Sequence, residues 1–229
     1  VGSGPYRVTS VKPGASVTLT RNPDYWGRDL PVNRGLWNFV EVRLDFYREA
    51  NGQFEAFKRG LYDFRVEHEP LRWHSGYDFP AVRSGEVIRD TIKPGVPQPS
   101  EFLVFNTRRP VFSDIRVRKA LTLLFDFEWI NKNYFFDLYR RTASYYAGSE
   151  LSAYGREADA RERELLKPYL STIAPDILHG GYRLPVTDAS GRDRATLRSA
   201  LALLSEAGYE LDGAALRHRT TKAPFTFEI

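Results

Sequence analysis

The periodicity of the sequence changes near Phe105 and Asn106. Short runs of alternating apolar and polar residues precede this point, and stripes of helical period follow it. A chain patterned this way is neither all-α nor all-β. It holds strands first and helices after, in two structural units spanning residues 1–105 and 106–229. Its hydrophobic fraction of 42% and charged fraction of 27% are those of a chain that folds around a core.

In the first unit, Tyr6–Val11 and Ser16–Thr20 alternate on either side of Pro13-Gly14, which predicts a β-hairpin. Asn22-Pro23-Asp24-Tyr25-Trp26-Gly27 is a turn carrying two aromatics. From Phe39 to Tyr47, Val40, Val42, Leu44 and Phe46 share one face and Glu41, Arg43 and Asp45 the other, the pattern of a half-buried strand. A short helix is expected from Gly52 to Arg59, ended by Gly60. Leu61–Val66 and Val87–Ile92 read as further strands. Pro94–Pro99 is an extended link. The continuous apolar run Phe102–Phe105 predicts a strand buried on both faces.

In the second unit, Ser113 or Asp114 is placed to cap a helix running to about Phe136, with Val117, Ala120, Leu121, Leu124 and Phe125 as its stripe. A second helix is expected from Asp193 to Ala207, with Leu197, Ala200, Leu201 and Leu204 inward and Gly208 as its stop. Residues 147–192 are irregular. Pro224–Ile229 alternates again and predicts a terminal strand that needs a neighbour.

Several chemistries are excluded by composition. The chain has no Cys, which removes disulfides, thiolate nucleophiles and zinc–cysteine sites. It has no phosphate-cradling glycine loop and no Gly-x-Ser-x-Gly elbow. Basic and acidic residues number 33 and 29, a net charge of +4, with no block of one sign, so no nucleic-acid partner is expected. Arg outnumbers Lys, which fits a compositional bias. The chain also has no Met. Either it is an internal piece of a larger protein, or modified methionines are missing from it, with Gln98–Glu101 the place where the link looks short.

The candidate chemical groups are few. His68 and His74 share a loop with Glu67 and Glu69, a set able to offer nitrogen and oxygen ligands, but the spacing matches no zinc motif and a solvated polar loop is the simpler account. A hydrolase built on Glu67, Glu69 or His74 ranks lower, because carboxylates two apart in a loop have no fixed geometry. Asn106-Thr107-Arg108-Arg109-Pro110 is the densest polar cluster, read as a ligand-facing segment or as a linker paired to local acids. Trp73, Tyr145 and Tyr146 are aromatics in irregular, polar surroundings, suited to a recognition surface.

Four segments in order resemble one family. They are Gly2-Ser3-Gly4-Pro5-Tyr6-Arg7-Val8, Arg21-Asn22-Pro23-Asp24-Tyr25-Trp26, Phe105-Asn106-Thr107 with Pro110-Val111-Phe112-Ser113-Asp114-Ile115-Arg116-Val117-Arg118-Lys119-Ala120-Leu121, and Leu203-Leu204-Ser205-Glu206-Ala207-Gly208-Tyr209. Together they resemble the bacterial extracellular solute-binding proteins of family 5, the oligopeptide, dipeptide and nickel receptors of ABC importers. Asn106–Pro110, Phe125–Trp129 and Arg141–Tyr145 look most like the subgroup handling oligopeptides and microcin C.

The resemblance implies an α/β, periplasmic-binding-protein-like type II fold, of which this chain would hold parts of two lobes: 1–105 in lobe I, ending in a hinge strand, and 106–229 at the start of lobe II. It implies an exported or membrane-anchored, monomeric binding protein without catalysis or cofactor, whose partners are a peptide and a membrane permease. A nickel or small-solute receptor is the alternative within the family. Positions expected to face the ligand are Glu67, His68 and Trp73, then Asn106, Thr107 and Arg108, then Thr142, Ser144 and Tyr145. The aspartate that anchors the peptide amino terminus in the family has no counterpart here. The chain is therefore expected to be part of a longer fold and to bind peptide weakly by itself.

Overall fold

A computed structural model describes residues 2–229. The contacts divide the chain into two units: residues 1–68 with 78–87, and residues 69–77 with 88–229.

The first unit begins with the expected hairpin. Strands β1 (Tyr6–Lys12) and β2 (Ser16–Arg21) pair antiparallel from Tyr6 opposite Arg21 to Lys12 opposite Ser16, with an irregularity between Val8 and Ser10. The turn closes on a 2.9 Å bond from Ala15 N–H to the Lys12 carbonyl, and Gly14 takes the positive φ of 69° that the turn requires. Strand β3 (Glu41–Asp45) adds to the other edge of β2, so β2 is the central strand and the best covered of the three. The alternation of β3 is as expected, but its apolar face is not covered. Val40, Leu44 and Phe46 are exposed, because no second layer of the described residues packs on them.

The Asn22 turn is held by side chains. Asn22 Oδ1 accepts from Asp24 N–H, Asn33 Nδ2 donates to the Gly27 carbonyl at 2.7 Å, and the Tyr25 ring lies so close to Gly27 that a Cβ there would meet it at 2.7 Å. Helix α1 (Ala50–Lys58) ends at Gly60, φ 66°, with Gly60 N–H on the Phe57 carbonyl and Leu61 N–H on the Ala56 carbonyl. Phe54 and Phe57 of α1 meet Phe79, which precedes the short helix α2 (Pro80–Arg83), edge to face at 6.3 and 6.4 Å.

The second unit is centred on two helices. Helix α3 (Pro110–Ser113) leads into α4 (Ile115–Leu124), and α8 (Arg194–Glu206) packs against α4. Their contact is Val117, Ala120, Ala200 and Leu204, the two alanines fully buried. Alanine on both sides lets the helix axes approach closely, while Val117 and Leu204 fill the space beside them. Arg116 Nη1 donates to the Glu206 carbonyl at 2.6 Å and so ties the start of α4 to the end of α8.

The hairpin β4 (Tyr209–Asp212) and β5 (Ala215–His218) follows. Phe225 continues it with a bond to the Leu216 carbonyl. A file of rings, Tyr209, Phe225, Phe227, Phe112 and Phe105, runs on from there at centroid spacings of 4.9 to 5.7 Å. Between the two core helices lie α5 (Phe127–Tyr134), α6 (Ala160–Leu166) and α7 (Pro175–Leu178).

Several expectations are corrected. The helix expected to run to Phe136 stops at Leu124 and restarts as α5, because the Asp126 carboxylate turns back to accept from Trp129 N–H and caps a new helix. Leu61–Val66, Val87–Ile92 and Phe102–Phe105 are not strands: no described segment offers them a ladder, and Val104 is 85% exposed rather than buried. Pro224–Ile229 forms a single bridge, Arg217 opposite Pro224.

Two outcomes follow for stability. Leu204→Ala leaves a cavity between α4 and α8 and is expected to cost about 2–5 kcal/mol, whereas Leu211→Ala at an exposed site costs less than about 1 kcal/mol; urea titration of both variants compares them. The carboxyl of Asp114 is held below the ordinary range by the Arg116 guanidinium and N–H, and that of Asp193 by the N–H and hydroxyl of Thr196. A lowered carboxyl contributes stability that is full above its unfolded value, about 4, and is lost as pH falls through the folded one. Thermal melts should therefore fall below about pH 4, and less steeply in Asp114→Asn and Asp193→Asn.

Candidate functional site

The expected ligand-facing residues do not share one environment. Glu67 belongs to the first unit, and its carboxylate is turned inward. Glu67 Oε2 accepts from Arg65 Nε at 3.1 Å, and the two side chains are only 3% and 6% exposed. Arg65 Nη1 also reaches Gln53 Oε1 at 2.9 Å and the Tyr62 hydroxyl at 3.1 Å, while its guanidinium lies 5.4 Å from the centre of the Phe54 ring. Burial works against the charge on Arg65, but the bonds to Tyr62 and Glu67 outweigh it and hold the guanidinium firmly ionised. Glu67 Oε1 accepts from the His68 N–H, and the His68 side chain is exposed. A carboxylate engaged in this way is poorly placed as a free base. Among the described residues, no group of three or more His, Asp or Glu side chains converges as a metal site.

Trp73 lies in the second unit, in a π-helical turn, Arg72–Gly76. Turns of this kind are rare and concentrate at functional positions. The Trp73 indole carries the Arg89 guanidinium at 4.9 Å from its centre, and Arg89 Nη1 donates to the Trp73 carbonyl at 2.8 Å. Tyr77 meets the indole edge to face at 5.8 Å. The next residue, His74, stacks on Phe136 with 4.2 Å between ring centres and 7° between planes. Phe136 and Asp137 both adopt left-handed backbone, φ 55° and 57°, a costly conformation for residues with a Cβ. Asn131 supports the segment beyond them: it is buried, with Oδ1 accepting from Tyr139 N–H and Nδ2 donating to the Tyr139 carbonyl.

Asn106 caps its own turn, its Oδ1 accepting from Arg108 N–H at 3.2 Å and its carbonyl accepting from Arg109 N–H. Thr107 and Arg108 are exposed, and the Arg108 side chain has no ion pair among the described residues. Thr142, Ser144 and Tyr145 do come together. Their loop lies on the 96–102 link through Gln98 N–H to the Ala147 carbonyl at 3.0 Å, Thr142 Oγ1 to Ser100 Oγ at 3.3 Å, and the Tyr145 ring on Phe102 at 5.8 Å. Ser144 Oγ accepts from Tyr146 N–H, and Tyr145 remains 85% exposed.

Sequence reasoning missed three features. His74–Phe136 and Trp73–Arg89 join residues far apart in sequence, and no local pattern announces them. The third is the anchored loop beside α5. The Thr187 hydroxyl, with one proton to give, lies within hydrogen-bond reach of the Asp126 and Glu128 carboxylates, Thr187 N–H donates to Glu128 Oε2 at 3.1 Å, and Gly191 N–H donates to Asp126 Oδ2 at 3.1 Å. This loop and α5 enclose an open recess of about 710 Å³ lined by Phe125, Trp129, Ile130 and Arg192. Gly191, φ 70°, lies against the indole of Trp129, where a Cβ would come within 3.0 Å.

Comparison with known proteins places the whole chain in a family. The model of the bacterial extracellular solute-binding proteins, family 5 Middle, matches residues 1–229. A putative binding protein of Brucella melitensis is 52% identical over all of this chain and 37% of its own length. The peptidoglycan-binding protein YepA of Agrobacterium fabrum is 41% identical over 92% of this chain and 35% of that protein. The probable peptide-binding protein YejA of the same organism is 40% identical over 93% and 35%. Among solved structures, NikA from Brucella suis in complex with Fe(III)-EDTA aligns with a TM-score of 0.57 at 18% identity, over 97% of this chain and 36% of that one. The periplasmic EDTA-binding protein EppA aligns with a TM-score of 0.51 at 20% identity, over 96% and 34%. The chain thus spans little more than a third of the relatives it matches.

The buried pair makes a direct prediction. Glu67→Gln leaves the buried Arg65 without its counter-charge, with only the neutral partners Gln53 and Tyr62, and is expected to destabilise the protein by about 3–5 kcal/mol, while the double change Arg65→Met with Glu67→Leu recovers most of that loss; denaturant unfolding of both decides it.

Proposed function

The chain belongs to the bacterial extracellular solute-binding proteins of family 5, and we propose on that premise that it forms part of a peptide receptor for an ABC importer. Its α/β architecture is a portion of the type II periplasmic-binding-protein fold. Proteins of this family are solute-binding components of transporters, and the fold serves capture rather than turnover.

The observation that carries the peptide reading is the pair of Agrobacterium relatives, at 40% and 41% identity, named for peptide and peptidoglycan binding. The exposed recognition chemistry agrees with it. Tyr145, Trp73 and the His74–Phe136 stack offer aromatic area at low entropic cost, and Arg108 offers a charge with no ion pair among the described residues. In this reading Trp73, Thr107, Arg108, Thr142, Ser144 and Tyr145 contact ligand. Asn106 shapes the turn that presents Arg108, and Glu67 holds the segment leading to His68. Residues 1–105 contribute to one lobe and 106–229 to the other, in a monomeric periplasmic protein that delivers an oligopeptide or peptide conjugate to a membrane permease.

A metal-chelate or small-solute ligand is the second reading, favoured only by the likeness of fold to the EDTA-bound NikA. Calorimetry on the product of the complete reading frame containing these 229 residues separates the two. Saturable heat with short peptides, and no product released over hours, is expected. Heat with nickel or Fe(III)-EDTA alone, abolished by His68→Ala and His74→Ala, would replace the peptide reading, and peptide cleavage would remove it.

A further inference from the structure

Arg89 stands apart from most of the arginines that the structure holds in place. Arg116, Arg156, Arg163 and Arg217 are fixed by carboxylates at 2.6 to 3.0 Å. Arg89 is instead fixed by one residue acting twice: the Trp73 indole lies under its guanidinium and the Trp73 carbonyl accepts from Nη1. No carboxylate of the described residues pairs with it. The adjacent Asp90 is turned onto its own backbone, its Oδ1 accepting from Thr91 N–H at 2.7 Å. A guanidinium is always charged, and its planar fork is matched to a carboxylate; stacking on indole fixes the plane while leaving the outward donors free.

The surroundings of this pair hold two uncommon backbone features. The π-helical turn sets Trp73 and His74 in succession, and the left-handed Phe136–Asp137 pair brings a second ring onto His74. Strained conformations of this kind persist where a precise geometry is needed. Here they support an aromatic stack on His74, the residue next to the Trp73 that carries the cation, all within the second unit. The link at Arg89 is exposed, and so is the edge of His74.

We propose that Arg89, held on Trp73, is a carboxylate-recognition site for the ligand, with the His74–Phe136 stack on the next residue taking an apolar side chain of the same ligand. This rests on the peptide reading and deepens it. The carboxylate is either the carboxyl terminus of a peptide or an acidic side chain near it. Trp73 acts as a positioning residue for Arg89 and His74–Phe136 as a packing surface.

The test uses the product of the complete reading frame and three synthetic peptides: Ala-Ala-Phe-Ala as the free acid, the same peptide as its carboxyl-terminal amide, and Ala-Ala-Phe-Glu as the amide. Calorimetry should show the free acid bound about 10-fold more tightly than its amide, as expected for one charge-assisted contact. Arg89→Gln should abolish that ratio while leaving binding of the amide unchanged. Arg89→Lys, which keeps the charge and loses the fork, should restore only a small part of it. Trp73→Leu should reduce the ratio, and Trp73→Phe should retain more of it. If Ala-Ala-Phe-Glu amide binds as tightly as the free acid, the site takes side-chain carboxylates; if it binds like the plain amide, the site takes the terminus. Equal binding of all three peptides by the wild type, or an equal loss of all three in Arg89→Gln, overturns the carboxylate site and leaves peptide capture standing. Absence of heat with all three peptides, in a protein with a cooperative melt, overturns peptide capture and this site together.

Discussion

A buried or half-buried peptide group must find a hydrogen-bond partner, and much of this chain lies outside helices and strands that would supply one. Side chains supply it instead. Asp114, Asp126, Asp159 and Asp193 each accept from the first turn of a helix. Asn22, Asn106 and Asn131 do the same for turns. Arginine satisfies the carbonyls: Arg118 holds those of Phe112 and Ser113, Arg141 those of Pro185 and Thr122, Arg163 those of Ala158 and Leu178, and Arg183 those of Gly180 and Tyr182. A fork with five donors can span two carbonyls where an ammonium on a flexible stem cannot do so with fixed geometry. The excess of Arg over Lys thus has a structural use beyond compositional bias.

This scaffold has energetic consequences. The contact of α4 with α8 sets Ala120 and Ala200 among Val117 and Leu204, and the helices are aligned by their ends as well as by this burial: Asp114 caps one, Asp193 caps the other, and Arg116 joins the two. Arg141 shows the limit of the device. Burial lowers its pKa, and the nearby Glu128 offsets part of that cost while itself binding Thr187. In the first unit the Arg65–Glu67 pair plays the corresponding part, anchoring a segment that has no ladder of its own.

The same economy shapes the exposed surface. Polar groups used to hold structure have partners within the protein, as Glu67 and Asn106 do. What remains available are rings with one face covered and cations without a carboxylate: Tyr145 over Phe102, His74 over Phe136, Arg89 over Trp73, and Arg108 at its turn. The π-helical turn Arg72–Gly76 and the left-handed pair Phe136–Asp137 are two of the places where the backbone departs from ordinary conformations, and they set the His74–Phe136 stack.

Local pattern was sufficient where one element answers to its own sequence. The Pro13-Gly14 hairpin, the alternation of β3, the Gly60 stop of α1 and the whole of α8 were legible, because turn chemistry, two-residue period and helical stripe all lie within a few positions of one another. The four ordered motifs likewise made the family legible. Pattern failed where an element depends on a neighbour. Phe102–Phe105 is as apolar as any buried strand yet lies exposed without a ladder, and Asp126 ends one helix by capping the next. Thus residue order by itself determined the elements and the family. Only the tertiary structure decided which side chains lie at the surface and which are spent inside. A carboxylate such as Glu67 and a guanidinium such as Arg89 are chemically eligible for either role, and the choice is made by partners twelve to sixteen residues away that share space with them but no local pattern: Gln53, which bonds Arg65, and Trp73, which carries Arg89.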